Sequence, residues 1–316
     1  MFSLKRFVDR METEKINMDA VLVIQDNERL GLHRFHDNTV HNVFSVAKSF
    51  TSTAIGMAVD EGLLSLTDKP YEMFKDILPD DVDPRWKDVT LYNLLTMTSG
   101  HGQPHLMVVD RKWLRGETDR AVDEKTKNEW LHFAFSCPMK YQPGEKMSYG
   151  NLAPYVAGRM LEKACGCSIN DYLDKKLWQP LGIEKPRWDS DCAGHTFAAS
   201  DLYLDIEDMG KLGQIYLNQG VFNGRRYLSS EWIEKATSNH VESTYVNPIG
   251  YAKDEVCGYG FYFWHNSYPG SYRAYGREGQ FIIVIPDKNA VIATQAMHSD
   301  VQPILDAVWE EILPAL

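Results

Sequence analysis

The chain has 316 residues, 44% of them hydrophobic and 24% charged, an ordinary globular composition with ample material for one large domain or two. A formal net charge of −11 without any basic stripe argues against nucleic acid as a partner, because phosphate binding needs clustered Lys and Arg. No stretch is long and apolar enough for a signal peptide or a membrane span, and Cys137, Cys165, Cys167, Cys192 and Cys257 form an odd, unpatterned set. The expectation is a soluble, cytoplasmic protein with free thiols and no membrane partner. Cys165-Gly166-Cys167 has no His or Cys cluster at ligand spacing beside it, so no metal is expected.

In chain order, the β-branched run Asp19–Gln25, the polar turn Asp26-Asn27-Glu28-Arg29 and the alternating Leu30–Phe35 predict an opening hairpin. Asn42 to Val59 predicts a helix that ends near Gly62, a C-cap residue. Helices dominate from Leu64 to Trp188. Among them are a short one over Thr90–Met97, broken by Thr98-Ser99-Gly100, one over Asn151–Lys163 and one over Asp171–Trp178. Residues 101–128, rich in charge, His and Gly, read as a long surface excursion. Helices at Asp201–Asn218 and Ser230–Ala236 follow. Gly258–Trp264, Ser271–Tyr275, Gln280–Ile285 and Ala290–Gln295 read as strands, and Pro303–Ile312 as a last amphipathic helix. Sheet pieces at both ends with helices between predict an α+β chain. A discontinuous domain of residues 1–62 and 195–316 would carry an antiparallel sheet flanked by helices. An inserted, mainly helical domain would span residues 63–194, with a site between the two.

One stretch calls for chemistry. Ser45 and Lys48 stand three apart at the start of a helix that is nearly free of charge until Asp60, so hydroxyl and amine share a face inside an apolar segment. A buried ammonium is costly unless paired or neutralised, and removing a proton from the serine would explain it. Lysine at its ordinary pKa is charged and cannot be a base at neutral pH, so burial or a second group must help. Tyr149, in Tyr149-Gly150-Asn151, is a candidate, because a phenol beside an ammonium has its pKa lowered. Tyr216-Leu217-Asn218 and Tyr245-Val246-Asn247 share that spacing. Tyr149 stands apart through the Pro143-Gly144-Glu145 turn before it and the helix after it. His101 and His105 read as solvated loop histidines, and Tyr259, Tyr262 and Trp264 as core. There is no Gly-x-Ser-x-Gly elbow, no His-Glu-x-x-His and no phosphate loop.

Taken together, the Ser45-x-x-Lys48 helix, Tyr149-x-Asn151 and the strand before Ile285-Pro286 resemble the serine β-lactamase and penicillin-binding superfamily. The branch resembled is the class C β-lactamase-related one, with D-alanyl-D-alanine carboxypeptidases, family VIII-type esterases and 6-aminohexanoate-dimer hydrolases. Leu94–Gly100, Pro143-Gly144-Glu145, Pro180-Leu181-Gly182 and Gly258-Tyr259-Gly260-Phe261 fall in the expected order along nearly the whole chain. The resemblance implies a β-lactamase/transpeptidase-like fold, Ser45 as acylated nucleophile, Lys48 as its activating partner and Tyr149 as general base and later acid. It also implies Asn151 as a ligand of the substrate's acyl-side amide. The family's third element, normally Lys-Thr-Gly or His-Thr-Gly, falls here on Ala274-Tyr275-Gly276, without its basic residue; Arg273 or Arg277 are the replacements at hand. Backbone N–H groups of Ser45 and Arg277 would make the oxyanion hole. For Gly276 and Gly279, a strand bulge and close substrate approach both stand as readings.

The reading is a cofactor-free serine hydrolase acting on a small ester or amide. A true β-lactamase or D,D-peptidase is the alternative, and a ligand-binding or sensing module of the same fold is an alternative of another class. Substrate identity and oligomeric state are not set by the sequence.

Overall fold

The hairpin at the start of the chain and four strands near its end build one sheet, whose central strands carry apolar residues on both faces and are buried on both. A computed structural model describes residues 2–37, 40–243 and 253–316. The strands of the main sheet are β1 (Met18–Gln25), β2 (Glu28–Arg34), β3 (Trp264–His265), β4 (Tyr272–Gly276), β5 (Gln280–Ile285) and β6 (Ala290–Ala296). They lie in the order β2-β1-β6-β5-β4-β3, every neighbour antiparallel. The predicted turn tightens to Asp26-Asn27, both with positive φ (51° and 63°), the twist that a two-residue hairpin loop requires.

Leu22, Ile24, Ile282, Val284, Val291 and Ala293 face one core; Val21, Val23, Phe281, Ile283, Ile285 and Ile292 face another. The second core is closed by the helix Lys5–Thr13 through Phe7 and Met11, and by Gln302–Ala307 with its continuation to Ile312. The Lys5–Thr13 helix is not among the predicted elements, although the four-residue spacing of Phe7 and Met11 marks its apolar face. The first core is closed by the helix Ile206–Leu217 and continues without a break through the Ser45 helix into Trp86, Leu94, Trp130 and Val156. The helices Leu91–Leu95, Leu152–Cys165 and Ser230–Thr237 stand where the periodicity places them.

Three expectations are corrected. Residues 201–204 are not the start of a helix: Tyr203–Leu204 pairs with His41–Asn42, and Asp205 caps the helix by accepting the Glu207 N–H at 2.8 Å. Gly258–Phe263 is not a strand, since Tyr262 has φ +65° and Tyr259 makes only isolated bridges to Val241 and Trp264. Residues 101–128 are more than a surface excursion. They hold the helices Val108–Leu114 and Glu124–Asn128, and they bury His101, His105, Leu106 and Arg111. Tyr245-Val246-Asn247 lies outside the described residues, as does Met1.

Close packing of the Ile206–Leu217 helix on the sheet depends on missing side chains. A Cβ at Gly213 would stand 2.4 Å from Val291 Cγ1 and 2.9 Å from Ile282 Cγ2. Gly213→Ala is therefore expected to lower stability by about 1–3 kcal/mol, the usual cost of overpacking. A denaturant midpoint equal to or above wild type would contradict this packing.

Candidate active site

The Ser45 helix, Val46–Asp60, has every residue from Val46 to Ala58 buried, so it runs through the centre of the protein rather than along its surface. Two of its polar side chains are taken up by neighbouring carbonyls: Ser49 Oγ donates to Tyr262 O (2.7 Å) and Thr51 Oγ1 to Ala198 O (2.7 Å). The turn before it is held tightly. Phe44 sits at φ +46°, unusual for a bulky residue, and three hydrogen bonds keep it there. Asn42 Oδ1 accepts the Phe44 N–H (2.8 Å), Asn42 Nδ2 donates to Asp201 Oδ1 (3.0 Å), and Val43 N–H donates to Leu202 O (2.8 Å). Ser45, half-buried, is thereby fixed at the helix start, where the dipole favours developing negative charge.

Lys48 is 1% exposed, and its Nζ lies 2.8 Å from Ser45 Oγ, 2.9 Å from Asn151 Oδ1 and 2.8 Å from the Ala199 carbonyl. Burial pushes its pKa well below the ordinary value; the Arg111 charge pushes the same way and Asp201 opposes them. A neutral amine has two N–H groups and one lone pair. The carbonyl and carboxamide oxygens can only accept, so in the neutral form they would take both N–H groups and leave the lone pair for the Ser45 hydroxyl. That is the arrangement needed to draw off its proton.

Tyr149 and Asn151 flank this pair. The Tyr149 ring centre lies 5.1 Å from Lys48 Nζ, and the rings of Trp264 (5.1 Å) and Tyr259 (6.2 Å) pack beside it. Tyr259, Tyr262 and Trp264 are buried, as expected; the rings of Tyr259 and Trp264 back the candidate phenol, and the Tyr262 hydroxyl donates to Leu94 O at 3.1 Å. Asn151 is buried and both ends of its amide are used: Oδ1 accepts from Lys48, and Nδ2 donates to Leu106 O at 3.1 Å. Its backbone N–H donates to His105 O (3.1 Å), so the 105–106 segment holds it in place.

From the sheet side, Tyr275, at the end of β4, and Arg277, just beyond it, reach the same cavity, about 380 Å³ in volume, with Ser45, Tyr149 and Asn151 in its wall. Gly276 has extended backbone, φ −117°, and no bulge interrupts the pairing of β4 with β5. Its lack of a side chain serves the close approach of β4 to the Ser45 turn, since a Cβ there would stand 2.2 Å from the Val43 carbonyl oxygen. Of the two arginines left open by the sequence, Arg273 is fully buried and donates to His265 O (2.9 Å), Asn266 Oδ1 (2.6 Å) and Asp254 O (3.0 Å), away from the cavity. Arg277 lines the cavity, its guanidinium 4.4 Å from the Phe44 ring centre.

Sequence reasoning missed Arg111 and Asp201, which pair beside Lys48, and Arg115 on the same wall. No spacing signal links Arg111 to Asp201; only folding brings them together. The histidines also differ from expectation. His101 and His105 are buried with ring centres 5.6 Å apart, and His101 Nδ1 lies 2.9 Å from Ser99 Oγ.

A model of the Beta-lactamase family matches residues 5–308. The chain belongs to the β-lactamase family. Among curated relatives, the lovastatin esterase of Penicillium rubens is 29% identical over 193 residues, which cover 56% of this chain and 46% of that protein. The β-lactamase of Escherichia coli is 27% identical over 145 residues, covering 46% of this chain and 34% of its own. The chain thus spans about half the length, or less, of these relatives. The octameric penicillin-binding protein homologue from Pyrococcus abyssi superposes with a TM-score of 0.75 at 22% identity, over 98% of this chain and 76% of that one. The fold is β-lactamase/transpeptidase-like, as the motif order implied, and among the described residues no helix is long and apolar enough to cross a membrane.

The buried histidines of this site carry a pH signature. Burial lowers the His101 pKa from 6.5 to about 3, so the unfolded chain binds a proton that the folded one refuses. The associated stability is complete above the unfolded value and is lost as pH falls from 6.5 toward about 3. Unfolding midpoints measured across that window should drop less steeply in His101→Gln than in wild type; identical slopes would contradict a neutral, buried His101.

Proposed function

We propose that the protein is a serine hydrolase that works through an acyl-enzyme on Ser45 and acts on a small ester or amide without a cofactor. The observation that carries this reading is a buried lysine with a depressed pKa, its Nζ 2.8 Å from a serine hydroxyl at a helix start. In the proposed cycle Ser45 Oγ attacks the substrate carbonyl while its proton passes to the neutral Lys48 amine, which becomes an ammonium. The backbone N–H groups of Ser45 and Arg277 receive the oxyanion. Tyr149 gives its phenol proton to the leaving group and is left as a phenolate beside the Lys48 ammonium. The phenolate then takes a proton from the water that attacks the acyl-enzyme, and Lys48 returns its proton to Ser45. Asn151 holds Lys48 through its Oδ1 and presents an edge of its amide to the cavity.

The division into residues 1–62 with 195–316 and residues 63–194 is part of the proposal. Ser45, Asp201, Tyr275 and Arg277 reach the cavity from the first unit, and Arg111, Tyr149 and Asn151 from the second, which supports a site between them. The β-lactamase or D,D-peptidase alternative has one observation in its favour, the Arg277 guanidinium in the cavity wall, a candidate for the carboxylate such substrates carry. The sensing-module alternative leaves the buried Ser45–Lys48 contact without a use.

The test compares short-chain p-nitrophenyl esters with a chromogenic cephalosporin in wild type and Ser45→Ala. Ester turnover is expected, falling about a thousandfold or more in the variant. Turnover that survives Ser45→Ala would sink the mechanism, while rapid cephalosporin cleavage that collapses in Arg277→Ala would favour the alternative. The depressed Lys48 pKa gives a second expectation with a definite sign. The amine must be neutral to act, so kcat/KM should be held on the alkaline side and lost as pH falls through the Lys48 pKa, and a rate that rises on acidification would contradict it.

A further inference from the structure

One edge of the cavity carries more positive charge than the proposed acyl transfer uses. Arg111 and Arg115 stand four apart on one face of the segment around the helix Val108–Leu114, and both line the cavity. Like charges at that spacing repel. Each guanidinium lies over an aromatic ring, Arg111 over Phe197 at 4.4 Å and Arg115 over Trp130 at 5.6 Å, and the two rings are 6.2 Å apart. The two charged heads therefore rest on a common aromatic floor that restrains them.

Arg111 is 8% exposed, lines the cavity and pairs with Asp201, and its Nε is buried with no hydrogen-bond partner among the described residues. Arg115 reaches the Ser190 carbonyl at 3.5 Å and, among the described residues, no carboxylate. The cavity's acids do not balance this edge. Asp189 is engaged by Arg187 at 2.8 Å, Asp201 by Arg111, and Glu117 is exposed. With Lys112 and Arg277 the lining counts four cations against three carboxylates, in a chain whose net charge is −11.

We infer that the Arg111–Arg115 edge binds a carboxylate carried by the substrate, so that the preferred substrate is an acidic ester or amide rather than a neutral one. This rests on the hydrolase reading for its setting, but the subsite can be tested apart from turnover. In the Ser45→Ala protein, adipate should bind detectably by calorimetry while dimethyl adipate does not, and Arg115→Gln added to it should weaken adipate binding. In wild type, kcat/KM for mono(p-nitrophenyl) adipate is expected to exceed that for its methyl-capped neutral counterpart by about fivefold, the scale of a half-exposed ion pair. The ratio should fall toward one in Arg115→Gln and invert in Arg115→Glu, with added salt eroding it. A second pair, m-carboxyphenyl hexanoate and its methyl ester, places the charge on the leaving group and shows which side of the scissile bond the subsite serves.

Ester turnover without charge discrimination in either pair, together with no adipate binding, would overturn the subsite and leave the hydrolase reading standing. Arg115-dependent adipate binding without turnover of any ester would keep the subsite and overturn the hydrolase. A charge preference that persists unchanged in both Arg115 variants, their unfolding midpoints matching wild type, would also overturn it.

Discussion

The burial of one amine shapes the centre of this protein. Lys48 sits inside a helix with no solvent on any side, where a bare ammonium would be prohibitively costly, so its surroundings must either pair the charge or remove it. The protein supplies two acceptors, the carboxamide oxygen of Asn151 and the carbonyl of Ala199, and sets the hydroxyl of Ser45 at the third position around the amine. Among the described residues, Arg111 and its partner Asp201 bring charge close, and their effects oppose each other. The outcome favours neutrality, and a neutral lysine turned toward a serine can take a proton.

Much of the remaining structure keeps that geometry from relaxing. The Ser45 turn is held by Asn42 and by Leu202; Asn42 is held by Asp201, and Asp201 by Arg111 from a distant helix. Gly276 lets the sheet close against the Val43 carbonyl. Asn151 is suspended from His105 O and Leu106 O, in a segment whose own histidines are packed away from water. Strain at Phe44 persists because several independent contacts determine it, the usual condition for a strained residue beside a reactive group.

The cavity built around this centre is asymmetric in charge. Its sheet side presents Tyr275 and a single arginine, and its helical side a pair of arginines seated on aromatic rings. Family membership accounts for the fold and the motif order; the asymmetry is carried by Arg111, Arg115 and Arg277 in the wall of this cavity. Relatives matched over half their length or less leave the substrate to be decided by such local chemistry.

The Ser45–Lys48 pair, the opening hairpin, the long helices and the last strands were legible in the sequence because each rests on short-range periodicity: three residues along a helix face, two along a strand. Tyr149 could be told from Tyr216 by the Pro-Gly-Glu turn before it and the helix after it. What tertiary structure alone decided are the long-range matters. Arg277 rather than Arg273 reaches the cavity because the chain turns after β4, whereas Arg273 is held among residues 254–266. His101 and His105 are buried because Trp86 and the 139–141 segment close over a loop whose composition suggested solvent. Gly258–Phe263 reads as a strand yet folds irregularly, since its aromatic rings gain more from the core behind Tyr149 than from a pleat. Arg111 meets Asp201 across ninety positions of sequence, and no local pattern encodes a contact at that distance.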